Sequence, residues 1–193
     1  MVHAESSVTS TVTWNGTGLA ADSASCLNSA DLSNNFEVTL VDDIYIFLAH
    51  AVQLEAEAAR RFEELAEQMR SAGNTEVQEF FQRMAEFSRR HLSEAKARSG
   101  FRPLPDLKPE EFQWPDGISP ETAPWSGVDG MMGVEDALQI ALESERAGYA
   151  FYATVAANTT NPRVKVAADE FTVEEAEHVA ELERWMVRYG IPS

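Results

Sequence analysis

Two glutamates, Glu55 and Glu145, each interrupt a run of apolar residues that recur at steps of three and four. Glu175 and His178 stand three apart on a third run, and His91 holds the matching place on a fourth. An unpaired carboxylate on an apolar helix stripe costs several kcal/mol or has its pKa driven upward, so something must compensate it. Once those runs pack together, the five groups point into one interior, and a cation is the simple compensator. Carboxylate oxygens and imidazole nitrogens suit Fe, Mn or Zn, and a dication between carboxylates also removes their mutual repulsion. The residues leave alternatives open. Glu55 and Glu145 can be buried carboxylates hydrogen-bonded to Tyr149, Tyr152 or an arginine. Glu175 and His178 can belong to a solvated acidic face, because the segment TVEEAEH is rich in charge.

The elements that must carry these groups are helical. From Asp42 and Asp43, which offer an N-cap and negative charge for a first turn, the residues Ile44, Leu48, Ala51, Glu55, Ala58, Phe62, Leu65 and Met69 fall on one face. The spacing predicts helices over about 43–72, 75–99, 134–158 and 162–189. Gly73 closes the first, Asn74 or Thr75 caps the second, and Asn161-Pro162 opens the fourth. The faces read Val77, Phe81, Met84, Ser88, His91 and Ala95; then Val134, Leu138, Ala141, Glu145, Gly148, Tyr152 and Val155; then Val164, Ala168, Phe171, Glu175, His178, Leu182, Trp185 and Tyr189. Residues 100–133, with six prolines, are too long for a simple hairpin loop and suit a crossover from one end of a bundle to the other. Trp114 and Trp125 are expected to pin it.

The helix pairs repeat. With an offset of 90 residues Leu48, Ala51, Glu55 and Phe62 fall on Leu138, Ala141, Glu145 and Tyr152; with an offset of 87, Asn74, Val77, Met84 and His91 fall on Asn161, Val164, Phe171 and His178. Two similar antiparallel hairpins joined by one long crossover make an all-α four-helix bundle over 41–193. In the repeat Ser88 matches Glu175, so the second helix offers Ser88-x-x-His91 where the fourth offers Glu175-x-x-His178.

Composition narrows the function classes. The chain has 193 residues, 44% hydrophobic and 24% charged, as a globular domain does. No apolar run reaches the roughly 18–20 residues of a membrane helix, and no secretory signal is expected. A formal charge of −17 repels phosphate backbones, so nucleic acid is not an expected partner, whereas metal cations are attracted. The single cysteine, Cys26, allows neither an intramolecular disulfide nor a four-cysteine metal site, and a reducing cytoplasm is the expected compartment. Residues 1–40, without Lys or Arg, read as a flexible polar arm with a short strand near Thr11–Trp14; Trp14 and Leu19 either dock on a partner or belong to a poorly ordered tail. His3 and His50 lie off the stripes and are expected at the surface. Tyr149 and Tyr152 are expected in the core with bonded hydroxyls.

From Ile44 to Tyr189 the chain resembles the rubrerythrin and ferritin-like superfamily. The segments that carry the resemblance are AHAVQLEAEAARRFEELAEQM, FFQRMAEFSRRHLSEA, ALQIALESERAGYAFYATVA and ADEFTVEEAEHVAELERWM. The resemblance implies a ferritin-like four-helix bundle, commonly a homodimer or higher oligomer, holding two irons that react with peroxide, O2 or Fe(II). It implies Glu55, His91, Glu145, Glu175 and His178 as metal ligands. Two departures matter. Without a four-cysteine rubredoxin site, electrons must come from an external donor. Ser88 stands where the family has a bridging Glu, which weakens or empties one metal position; Ser88 itself and Glu94, one turn after His91, are accessory candidates. If the site is degenerate, one Fe, Mn or Zn, or no ion, remains in a bundle with a structural or interaction role.

Overall fold

The computed structural model describes residues 41–115 and 117–191. The arm over 1–40, with its expected strand, Trp14, Leu19, Cys26 and His3, lies outside them. Four long helices carry the fold: α1 (Ile44–Ala72), α2 (Thr75–Arg98), α3 (Val134–Asn158) and α4 (Pro162–Tyr189), with one 3-10 turn at Pro109–Glu111. No strand occurs among the described residues, and none of their helices is long and apolar enough to cross a membrane.

Local chemistry sets the helix ends. The Asp43 carboxylate accepts from the backbone N–H of Tyr45 at 2.8 Å and of Ile46 at 3.1 Å, satisfying two of the free donors of the first turn of α1. Gly73 closes α1 at φ 77°, a left-handed conformation that a Cβ would strain. Asn74 and Asn161 cap α2 and α4 through Val77 N and Arg163 N, the caps that the repeat places at equivalent positions.

α1 packs along α2 and α3 along α4, and the two hairpins meet through α2–α3 and α1–α4. Their stripes build two apolar clusters. One contains Phe62, Met69, Phe81, Leu138 and Leu182; the other contains Phe47, Leu54, Tyr152, Val164 and Phe171. A buried polar band formed by Glu55, Ser88, Glu145 and Glu175 lies at the sequence positions between them. Tyr189, expected on the inner face of α4, is instead 56% exposed, because the last turn runs past the end of the core. Tyr149 also points outward, while Tyr152 is fully buried.

The crossover runs the length of the first hairpin, whose 29-residue α1 measures about 43 Å. It leaves the end of α2 and returns to the α1–α2 turn, where the Asn74 side-chain amide donates to the Met132 carbonyl at 2.8 Å. Gly130 lies so close to α1 that a Cβ there would sit 2.5 Å from the Ala72 Cβ. Trp114 is half-buried and packs on the second cluster, stacked with Phe112. Trp125 keeps 45% exposure beneath the Arg61 guanidinium.

His50 corrects the sequence-based expectation of a surface residue. It is fully buried, its Nδ1 donates to the Ile46 carbonyl at 2.8 Å, and its Nε2 accepts from Gln113 N at 2.9 Å. Phe112 and Trp114 close over the ring. Burial pushes its pKa down against the opposing bond to Ile46, so a neutral imidazole ties the crossover to α1. The single-stripe pattern missed it because the crossover gives α1 a second covered face.

Asp42 ties the start of α1 to the α3–α4 turn. Its carboxylate accepts from Thr159 Oγ1 and Thr160 Oγ1 at 2.6 Å, and from the backbone N–H of Thr160 and Asn161 at 2.8 Å. The two hydroxyls, then the backbone donors, hold its pKa at about 2 against the usual 3.8. A depressed carboxylate contributes stability above its unfolded pKa and loses it as pH falls through the folded one. Asp42→Ala is therefore expected to lower Tm by a few degrees, about 4 °C or more, at pH 7. Melts from pH 4 down to pH 2 are expected to show that difference closing; a constant difference would refute the role of the charge.

Candidate metal centre

Each helix delivers its polar side chain from the middle of its apolar stripe. α1 brings Glu55, α2 His91, α3 Glu145, and α4 both Glu175 and His178. Glu55, Glu145 and Glu175 are 1%, 5% and 1% exposed, so burial here is nearly complete. His178 Nδ1 faces two carboxylate oxygens at once, Glu145 Oε2 at 3.1 Å and Glu175 Oε2 at 3.3 Å. His91 Nδ1 lies 3.9 Å from Glu55 Oε2, and its ring stacks on that of His178 with centroids 4.4 Å apart. All five residues expected from the sequence thus meet at one place.

The accessory candidates do not join them equally. Ser88 is buried, but its hydroxyl donates back to the Met84 carbonyl at 3.3 Å and so behaves as a satisfied helix serine. Glu94 is exposed and lies on the wall of the cavity, outside the converging donors.

One residue that sequence reasoning missed is there as well. Glu121 comes from the crossover, not from a helix, and is 2% exposed. Ligand atoms of Glu55, Glu121 and Glu175 lie within 4.8 Å of one another, and so do those of His91, Glu175 and His178. Glu175 belongs to both groups. A cavity of roughly 330 Å³ is lined by Glu55, Ser88, His91, Glu121, Glu145 and His178.

The electrostatics of this arrangement are unfavourable without a cation. Burial, then repulsion from Glu175 and Glu145, pushes Glu55 well above the ordinary carboxylate range. Burial raises Glu121 likewise, with Glu175 and Glu55 adding to it. Burial lifts Glu175 to about 8 even though the His178 hydrogen bond opposes it. Burial disfavours the His178 imidazolium, but its bonds to Glu145 and Glu175 outweigh that and hold its pKa at about 10. His91 goes the other way, to about 4, through burial and the neighbouring His178. The protons on Glu175 and His178 stand where a metal cation would serve the same oxygens and nitrogen.

Several polar atoms here lack hydrogen-bond partners among the described residues: Glu55 Oε1, Glu121 Oε1 and the Tyr152 hydroxyl. That corrects the expectation of a bonded Tyr152. Buried carboxylate oxygens with nothing to accept are costly, and an oxygen-and-imidazole donor set around them fits a first-row dication. The residues present therefore fit a bound metal cation.

A sequence model of the Rubrerythrin family matches residues 47–114. Among solved structures, an uncharacterized conserved protein from Magnetospirillum magnetotacticum MS-1 is similar at 37% identity, with a TM-score of 0.60, over 78% of this chain and 97% of that one. No curated protein matches the chain.

Proposed function

Since the chain belongs to the rubrerythrin and ferritin-like superfamily, we propose that it is a metal-binding protein of the diiron type, an oxidoreductase acting on peroxide, O2 or Fe(II). One observation carries the reading: Glu175 is common to two groups of donor atoms, Glu55–Glu121–Glu175 and His91–Glu175–His178. A carboxylate shared by two groups of donors would help to hold a cation in either of them. Two ferrous ions held by these residues would supply one electron each, enough with two protons to take hydrogen peroxide to two waters, and Fe(II) itself would be the substrate in a ferroxidase reaction.

The chain's own residues bind, shield and exchange protons. Glu55, Glu145 and Glu175 hold the cations and neutralise their charge, while His91 and His178 fix position through nitrogen. Occupation of the site displaces protons from Glu175 and His178, so affinity rises with pH. The apolar clusters keep Glu55, Glu145 and Glu175 away from bulk water, which strengthens the interactions of their carboxylates. Tyr152, whose pKa burial pushes up further, keeps its phenolic proton beside Glu55, Glu121 and Glu175. Acidic Glu94 and Glu177 on the cavity wall attract arriving cations. A one-electron carrier would return the oxidised site to its ferrous state.

Metal analysis after iron-replete expression tests the reading. Two irons per chain are expected, with near-ultraviolet absorption of an oxidised iron pair that bleaches on reduction and peroxide consumption that follows iron content. One zinc per chain, or no metal, would refute it in favour of a degenerate bundle with a structural role.

A further inference from the structure

Glu121 sits on a segment that has no helical reason to enter the core. Its backbone carbonyl accepts from Ser144 Oγ at 2.8 Å, and its neighbours Ser119 and Ala123 are buried with it. Its side chain passes over Gly148 of α3. A Cβ at that glycine would lie 1.9 Å from Glu121 Oε1 and 2.9 Å from its Cγ. Glycine inside a helix costs about 0.5–1 kcal/mol relative to alanine; here it leaves the opening through which the carboxylate reaches the site. At the end of that path Glu121 Oε1 finds no hydrogen-bond partner among the described residues, while its ligand atom lies within 4.8 Å of those of Glu55 and Glu175. On the opposite hairpin Ser88 brings no carboxylate, and its hydroxyl is turned back to Met84.

We infer that Glu121 is a metal ligand, supplying from the crossover the fourth carboxylate that Ser88 does not supply from α2. It completes the position between Glu55 and Glu175. With it, Glu55, Glu121, Glu145 and Glu175 carry together the charge that two divalent cations neutralise; without it one positive charge is left unmatched by the buried carboxylates. Ser144 and Gly148, one turn apart on α3, are positioning residues, one holding the segment's backbone and the other admitting its side chain.

The inference rests on the two-ion reading above, and calorimetric titration of the full chain with Fe(II) under argon separates the two. Wild type is expected to take up two ions. Glu121→Gln, which keeps the shape and removes the charge, is expected to keep one ion and weaken the other at least about 30-fold. Gly148→Ala, whose new methyl displaces the Glu121 carboxylate without neutralising it, is expected to do the same. Far-UV circular dichroism confirms that each variant is folded. If both variants bind two Fe(II) within threefold of wild-type affinity, Glu121 is not a ligand and the two-ion reading stands. If wild type binds no more than one Fe(II), both readings fail.

Discussion

The Glu175→Gln variant is expected to bind neither ion and, in the absence of metal, to be more stable than wild type at pH 8. Loss of binding follows from its membership of both donor groups: one substitution removes a ligand from each position, so affinity is expected to fall at least about 100-fold at both. The gain in stability follows from the same burial. A carboxyl group held at about 8 instead of 4.5 is one the folded protein would rather keep protonated, and at pH 8 half the molecules carry its charge at 1% exposure. A neutral amide of the same shape relieves that, and about 2 kcal/mol, or roughly 4–8 °C in Tm, is expected. Glu79→Gln is the control, since Glu79 is exposed on α2 and takes no part in the cavity or the converging donors; its Fe(II) affinity is expected to stay within threefold of wild type. The paired measurement is an anaerobic titration and a melt in chelator. A Glu175→Gln protein that still takes up two ions would remove Glu175 from the ligand set.

That opposition between local stability and binding explains how much of the site was legible. A glutamate on an apolar stripe is conspicuous because it violates the pattern around it, and Glu55, Glu145 and Glu175 announced themselves in this way. The hairpin repeat then placed His91 opposite His178 and exposed Ser88 as the odd member. The bundle was legible for the same reason: a period of three and four sustained along the chain, with Gly73, Asn74 and Asn161 marking ends, leaves little choice of architecture.

The crossover was not legible, because it has no period. His50 was placed at the surface since it lies off the stripe of α1, yet Phe112, Gln113 and Trp114 arrive from more than sixty positions away to cover it. Glu121 stands among prolines and carries no helical register, so nothing local separates it from an exposed acidic residue. The one trace it left was Gly148, a glycine in mid-helix on the inner face of α3. A hole of that kind says that something must approach; only the folded chain says that a carboxylate does.

Removing metal from the loaded protein is expected to lower Tm by roughly 15–30 °C, with the deficit widening as pH rises from 6.5 to 8. The first part is mass action: each ion bound at a thousand times its Kd adds about 4 kcal/mol, and two sites act together. The second part comes from the groups that the ions replace. Glu175 and His178 have folded pKa values raised above their unfolded ones, to about 8 and about 10. Such groups contribute stability at low pH and lose it as pH climbs, from 4.5 through 8 for Glu175 and from 6.5 through 10 for His178. His91, lowered to about 4, has the opposite sign, but its gain is complete once pH passes 6.5. Between 6.5 and 8 the two raised groups therefore act unopposed by it, and Glu55 and Glu121, raised by the same burial, push in their direction. The metal-free protein is expected to lose on the order of 2 kcal/mol over that interval. In the loaded protein the ions have already displaced those protons, and binding that releases protons strengthens with pH. Melts in chelator and in Fe(II) under argon, at half-unit steps of pH, are thus expected to diverge; parallel curves would mean that the buried carboxylates and His178 do not hold the protons that a bound cation replaces.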